Sequence, residues 1–240
     1  MKILCVIPAR YASTRLPGKP LADIVGKPMI QHVYERSAQA TIPQQVVVAT
    51  DDEKVFQAVQ QFGGKVVMTS SEHQTGTDRL AEVASKYAEV DVIINVQGDE
   101  PLIDPKVIDE LAQEFLNDTA LQMASVMSIM DTEDYQNPNV VKVVTDLNNN
   151  ALYFSRSLLP YPRVAGKANV YKHIGIYAYK KDFLLKFAKL EPTPLEQSES
   201  LEQLRALENG YKIKMIKTKS KFIGVDSIED LQTVNELLRK

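Results

Sequence analysis

The chain has 240 residues, of which 44% are hydrophobic and 25% charged, with a formal net charge of -3 at pH 7. These are the values of an ordinary globular protein; they exclude disorder, collagen and coiled coil, and the slight acidity argues against general nucleic-acid binding, which needs a strongly basic face. The single cysteine, Cys5, allows no internal disulfide, no apolar run approaches the roughly 18 residues of a membrane span, and the N-terminal apolar run stops at Pro8 without a cleavage pattern, so a cytoplasmic protein without membrane insertion is expected.

In chain order, Ile3 to Ile7 reads as a buried strand, with Cys5 as a small hydrophobe inside it. The loop that follows, Ile7 to Pro20 (IPARYASTRLPGKP), sets Arg10, Arg15 and Lys19 among Ser13, Thr14 and Gly18. A strand end thus delivers guanidinium, ammonium, hydroxyl and free backbone N–H groups to one place, an inventory that suits a polyphosphate. The plainer reading is a solvated basic loop. From Lys2 to Lys27, however, there are five Lys or Arg against one acid, Asp23, so positive potential is concentrated where a phosphate would need it.

Beyond this loop Pro28 opens a helix at its first turn, with the amphipathic pattern running from Met29 to Ala40. Gln45 to Ala49 predicts a strand, Asp51 and Asp52 cap a helix from Glu53 to Phe62, and Lys65 to Met68 supplies a third strand. A polar loop from Thr69 to Thr77 leads into a helix ending near Tyr87, and Asp91 to Val96 is a nearly all-apolar strand, as expected where both sheet faces are covered. Strand and helix alternate four times, which predicts a largely parallel sheet with its ligand beyond the carboxyl ends of the strands. Three loops converge there: the basic loop, TSSEHQTGTDRL after strand three, and Gln97 to Pro101 after strand four.

After a helix from Pro105 to Asn117 the pattern shortens to strands at Met123 to Met130, Val140 to Asp146 and Ala151 to Ser155. Asn148 to Asn150 signals a hairpin turn, so this part is expected to be antiparallel or mixed. Leu158 to Asn169 reads as a loop and Tyr171 to Tyr179 as a strand. Helices follow over Lys181 to Lys189 and Leu195 to Asn209, the latter stopped by Gly210, then a strand from Ile213 to Lys217. Ser227 to Asp230 resembles a capping box opening a terminal helix.

Several signatures are missing, and their absence prunes the field. GxGxxG and GxxxxGK[ST] do not occur, which argues against a dinucleotide dehydrogenase or a P-loop kinase; GxSxG is absent too, and His32, His73 and His173 lack zinc spacing. There remain a phosphate loop and carboxylates at strand ends. Asp99 and Asp226 are a pair that suits magnesium, which prefers oxygen ligands and completes its shell with water or substrate phosphates. A turn residue before Pro101 and a helix cap are the competing structural readings of the two aspartates.

IPARYASTRLPGKPL, TGTDRL, NVQGDEPLI, ALYFSRS, HIGIYAY, LEQLRALENG and GVDSIEDL, in this order and spacing, resemble the cytidylyltransferases that activate the bacterial eight-carbon sugar acid Kdo. The likeness covers nearly the whole chain. It implies a Rossmann-like α/β nucleotidyltransferase fold in a single domain over 1–240, with a mixed sub-region over about 120–215 for sugar binding and dimer contact. It also implies magnesium and a homodimer, and the reaction of CTP with Kdo to give CMP-Kdo and pyrophosphate for lipopolysaccharide synthesis. Lys19, Asp99 and Asp226 would be catalytic, with magnesium on Asp99 and Asp226. Ala9, Arg10, Ser13, Arg15, Lys19, Arg79 and Gln97 would lie along the nucleotide. Gln97, Arg156, His173, Tyr177, Glu202 and Gln203 would line the sugar pocket, with Arg156 as the fork for the sugar carboxylate.

The chain departs from that family's pattern in two places. Ser227-Ile228 stands where Thr-Pro is expected, and the segment from Pro162 to Lys172 is short and lies next to the proposed sugar pocket. An 8-amino form of Kdo, or another keto sugar acid, is therefore a second candidate substrate. A nucleotide-binding module without turnover is the non-enzymatic alternative.

Overall fold

The computed structural model describes residues 1–12, 16–164 and 166–239, so the expected nucleotide contacts Ser13 and Arg15 lie outside the described residues. The first apolar run becomes β1 (Ile3–Ala9), followed by a two-stranded ribbon of β2 (Asp23–Ile24) and β3 (Lys27–Pro28). Next come α1 (Met29–Ser37), β4 (Gln45–Thr50), α2 (Glu53–Gln61), β5 (Val66–Met68), α3 (Gly76–Lys86), β6 (Val92–Asn95) and α4 (Pro105–Asn117). The second half holds β7 (Met123–Ile129), β8 (Lys142–Thr145), β9 (Ala151–Ser155), β10 (Tyr171–Lys180) and α5 (Lys181–Phe187). It closes with α6 (Pro194–Glu199), α7 (Gln203–Glu208), β11 (Lys214–Thr218) and α8 (Ile228–Leu238).

One sheet runs through the molecule in the order β11-β7-β10-β6-β1-β4-β5, with β8 and β9 attached beside β10. Because β10 is antiparallel to both β6 and β7, those two strands point the same way. The parallel pairs β1–β6, β1–β4, β4–β5 and β7–β11 then align every strand of that path except β10. The fold is thus the expected mostly parallel α/β sheet flanked by helices, and the carboxyl ends of six strands open on one edge. The nearly all-apolar β6 lies at its middle, as its composition predicts.

Alternation along β1 sends side chains to both faces. Ile3, Cys5 and Ile7 pack with Ile30 of α1, Val55 of α2 and Leu111 of α4. Leu4 and Val6 pack with Leu80 of α3 and Phe187 of α5. Burial pushes the Cys5 thiol up to about 12, so it is an inert core group. A smaller cluster of Leu16, Ile24, Met29, Val225 and Val234 packs α8 against the ribbon and the start of α1. That packing carries the segment before α8 to the basic loop after β1, although the two are separated by most of the chain.

Boundaries differ from expectation where tertiary bonds intervene. Pro28 is the N-cap of α1 and not its first turn, because it pairs with Asp23 in the ribbon. Asp52 caps α2, accepting from the amides of Lys54 and Val55, whereas Asp51 turns away to Arg79. The expected helix over Leu195 to Asn209 is two helices. Ser200 adopts a left-handed conformation (φ 52°) and Leu201 drops into the core, 7% exposed. The bend sets Glu196 of α6 against Arg205 of α7, two nearly buried groups that neutralise each other. The capping box before α8 forms in both directions, Ser227 with the Asp230 amide and the Asp230 carboxylate with the Ser227 amide.

Candidate active site

Glycine and backbone geometry bring the strand-end loops together. Gly98 lies so close to the end of β1 that a Cβ there would sit 2.6 Å from the Pro8 carbonyl oxygen. Gly18, in the left-handed region (φ 69°), turns the basic loop back so that its amide reaches the Tyr11 carbonyl and Lys19 points inward. The Val225 amide donates to the Asp99 carbonyl at 2.9 Å, which joins the loop after β6 to the segment before α8.

The result is a cation held between two carboxylates. Lys19 Nζ donates to Asp99 Oδ2 at 2.6 Å and to Asp226 Oδ1 at 2.8 Å. Burial pulls the ammonium down, but the Asp99 and Asp226 carboxylates outweigh it and hold Lys19 above its ordinary value. A cleft of about 410 Å³ opens here, lined by Ala9, Arg10, Lys19, Gly76, Gln97, Asp99 and Asp226. Arg10 Nη2 is buried and has no hydrogen-bond partner among the described residues, so a donor stands ready for an anionic ligand. A larger cleft of about 600 Å³, around Glu114, Asn148 and Lys214, lies at the amino ends of β7 and β11; an α/β sheet places its chemistry at the other edge.

Both aspartates converge on one ammonium, and a divalent cation attracted by the same two carboxylates fits that donor set. No group of three or more His, Cys, Asp or Glu that could hold a metal exists among the described residues. An ion on Asp99 and Asp226 would therefore complete its shell from water and substrate oxygens, the habit of magnesium.

Arg79, expected along the nucleotide, is fully buried behind the cleft. Its Nη2 donates to Asp51 at 2.7 Å and its Nη1 to the Thr69 hydroxyl, so it braces the carboxyl ends of β4 and β5 against α3, whose first residue, Gly76, lines the cleft. Gln97 is at the cleft and also crosses it, its Nε2 donating to the Gly175 carbonyl of β10 at 2.8 Å.

Beyond Gln97 the residues expected around the sugar form a second group. Phe154, His173, Tyr177 and Tyr179 make an aromatic row with successive centroids 5.0, 5.3 and 5.8 Å apart. The register of β10 against β7 slips between Ile174 and Tyr177, and the two extra residues preserve alternation, so His173 and Tyr177 share a face. Glu202 accepts from the Thr77 hydroxyl, and burial raises its carboxyl above the usual range. Gln203, next in chain, is 4% exposed. Arg156 lies further along β9's end, its guanidinium donating to the carbonyls of Pro138, Glu199 and Ser200.

Three contributors were not legible in the sequence. Ser125 of β7 places its hydroxyl 2.9 Å from both the Ile176 carbonyl and His173 Nε2, so it ties the imidazole to the bulged backbone of β10. Thr77 anchors Glu202. Glu100, next to Asp99, turns inward, and burial together with the charges of Asp99 and Asp226 pushes its carboxyl up to about 8. The neighbouring QGDEP motif was the only signal, and it does not say which way the second acid faces.

Burial alone pulls His173 down to about 3 from its ordinary 6.5. A depressed folded value means that the stability linked to this group is whole above the unfolded value and is lost as pH falls toward the folded one. Between pH 6.5 and 5 the protein is expected to lose up to about 2 kcal/mol more than the variant His173→Gln. Urea unfolding at several pH values checks this, and parallel curves for the two proteins would refute it.

Strand-end cations, paired carboxylates and an open cleft on this sheet suit a nucleotidyltransferase, and the known relatives show that class. Residues 4–215 match the family described as cytidylyltransferase. Over its full length the chain is 54% identical to the 3-deoxy-manno-octulosonate cytidylyltransferases of Geobacter metallireducens and Geobacter sulfurreducens, covering 99% and 100% of those proteins. The protein of the same name from Fusobacterium nucleatum is 50% identical, with 98% covered. A solved structure of CMP:2-keto-3-deoxy-manno-octonic acid synthetase complexed with CTP superposes with a TM-score of 0.96 at 50% identity, covering 100% of this chain and 99% of that one. A cytidylyltransferase from Leptospira borgpetersenii, 20% identical with a TM-score of 0.69, shares the fold. The chain belongs to the 3-deoxy-manno-octulosonate cytidylyltransferase family.

Proposed function

We propose that the protein transfers a cytidylyl group from CTP to the anomeric hydroxyl of Kdo, giving CMP-Kdo and pyrophosphate. The observation that carries this reading is the Lys19–Asp99–Asp226 cluster in a cleft beside the aromatic row, on a chain half identical to enzymes so named over their whole length. The hydroxyl oxygen attacks the α-phosphorus and gives up its proton to solvent, the bond to the bridging oxygen breaks, and pyrophosphate leaves with that oxygen. Such a displacement needs positioning and charge neutralisation, and no protein nucleophile.

Arg10, Arg15 and Lys19 hold the triphosphate, with Ala9, Ser13 and Gln97 along the nucleotide and Arg79 bracing that wall from behind. Lys19 donates to a phosphate oxygen once the nucleotide draws its ammonium from the carboxylates. His173, Tyr177, Glu202 and Gln203 line the sugar side, and Arg156 takes the sugar carboxylate. Magnesium, held by Asp99 and Asp226, would neutralise phosphate charge and lower the pKa of the attacking hydroxyl. The product serves lipopolysaccharide synthesis in the cytoplasm; no helix among the described residues is long and apolar enough to cross a membrane. Exposed Leu152, Tyr161 and Val164 supply apolar surface for a homodimer, and sedimentation at working concentration tests it.

The deciding assay is pyrophosphate release from CTP with Kdo, 8-amino-Kdo and sialic acid in parallel. Release is expected with Kdo, lost on adding EDTA and restored by excess magnesium. Release with 8-amino-Kdo alone would move the substrate and turn attention to residues 162–172. Release with no sugar acid would overturn the enzymatic reading.

A further inference from the structure

A lysine away from the reacting groups is fully buried without a carboxylate partner among the described residues. Lys142, on β8, is 0% exposed, and its ammonium donates to the carbonyls of Asn137 at 2.6 Å and Arg156 at 3.0 Å. Burial pulls it below its ordinary value, and Asp134 is the acid whose charge opposes that shift. An ammonium is a costly group to bury. A methionine would fill the same slot without that cost, so the donors themselves have work to do.

The bonds close a ring. Lys142 holds the backbone carbonyl of Arg156 and that of Asn137; the next carbonyl, of Pro138, accepts from Arg156 Nη1 at 3.0 Å. Arg156 is held on its other side as well, its amide donating to Glu199 Oε2 at 3.0 Å and its Nε to the Glu199 carbonyl at 2.7 Å. Its Nη2 reaches the Ser200 carbonyl at 3.4 Å. A guanidinium has five N–H groups. Three are used, so two, one on each terminal nitrogen, remain without a partner among the described residues, enough donors for the two oxygens of a carboxylate. The same strand ties this assembly to the aromatic row, since Lys142 pairs with Lys172 of β10 and the His173 amide donates to the Val141 carbonyl.

We propose that Lys142 is a positioning residue for sugar-acid recognition: it fixes the Arg156 backbone and the 137–138 turn so that the two free N–H groups of Arg156 face an organic carboxylate. This rests on the reading of Arg156 as the sugar-carboxylate fork. The test measures KM for the sugar acid and for CTP in Lys142→Met, Arg156→Lys and the double variant, with melting temperatures. Lys142→Met is expected to raise the sugar-acid KM about tenfold, the size of one charge-assisted hydrogen bond, while CTP KM and kcat stay within about threefold. Arg156→Lys is expected to raise the same KM at least as much, and adding Lys142→Met to it is expected to change nothing further, because the lysine acts only through the arginine.

Additive effects, a parallel rise in both KM values, or an unchanged sugar-acid KM with a lowered melting temperature would overturn the proposal and leave Lys142 a structural group. An unchanged sugar-acid KM in Arg156→Lys would overturn the reading of Arg156 itself. Should Lys142→Met fail to fold, Lys142→Gln, which keeps a neutral donor, is judged on the same criteria.

Discussion

On the proposed mechanism, Asp99→Ala is expected to leave a folded protein whose magnesium-dependent pyrophosphate release falls by about a hundred- to a thousandfold, the usual cost of removing a preorganised charge-stabilising group. The fold survives because the contact joining the two carboxylate loops is made by the Asp99 backbone: its carbonyl accepts the Val225 amide, and alanine keeps that bond. Lys19 keeps Asp226 at 2.8 Å. What is lost is one of two carboxylates converging on a single cation position, and a magnesium ion left with one protein ligand would be neither held nor placed. Steady-state release, a melting curve and direct titration with manganese check the three parts separately. Wild-type-like turnover would sink the assignment of Asp99.

Gly98→Ala is expected to lower turnover about a hundredfold and stability by about 1–3 kcal/mol, through geometry alone. The new methyl group would meet the Pro8 carbonyl at 2.6 Å, closer than any van der Waals contact allows, and the obstacle is backbone, which cannot rotate away. The loop must lift off β1. Gln97 then leaves the Gly175 carbonyl and Asp99 leaves Lys19, although neither residue has changed. Gly76→Ala is the matched control for stability, since nothing lies within 4 Å of a Cβ there; it should melt no lower than wild type. A Gly98→Ala protein with unaltered melting temperature and kcat would show that the approach relaxes freely.

Much of this architecture was readable from local pattern. Apolar runs alternating with amphipathic segments gave β1, β4, β5 and β6 with their helices, and the Asn148–Asn150 turn gave the β8–β9 hairpin. The site was partly readable too. Lys19, Asp99 and Asp226 stood out because cations and acids at strand ends in a parallel sheet must gather at one edge, and the aromatic pair His173 and Tyr177 followed from strand parity. Two of the expected nucleotide contacts, Ser13 and Arg15, are not among the described residues.

By itself the sequence determined the order of the main strands and helices, apart from the β2–β3 ribbon and the division of the 195–209 helix, together with the edge at which chemistry gathers and the residue types available there, because periodicity, capping and turn chemistry act over a few neighbouring residues. Tertiary structure alone decided which way β10 runs, that the chain breaks at Ser200, that Asp51 serves Arg79 and not a helix, that Glu100 faces inward, and that Lys142 clasps Arg156. Each of those choices depends on packing between elements and not on the few residues beside it. A buried donor or charge takes whatever acceptor the packed sheet presents, and only the assembled layers determine which one that is.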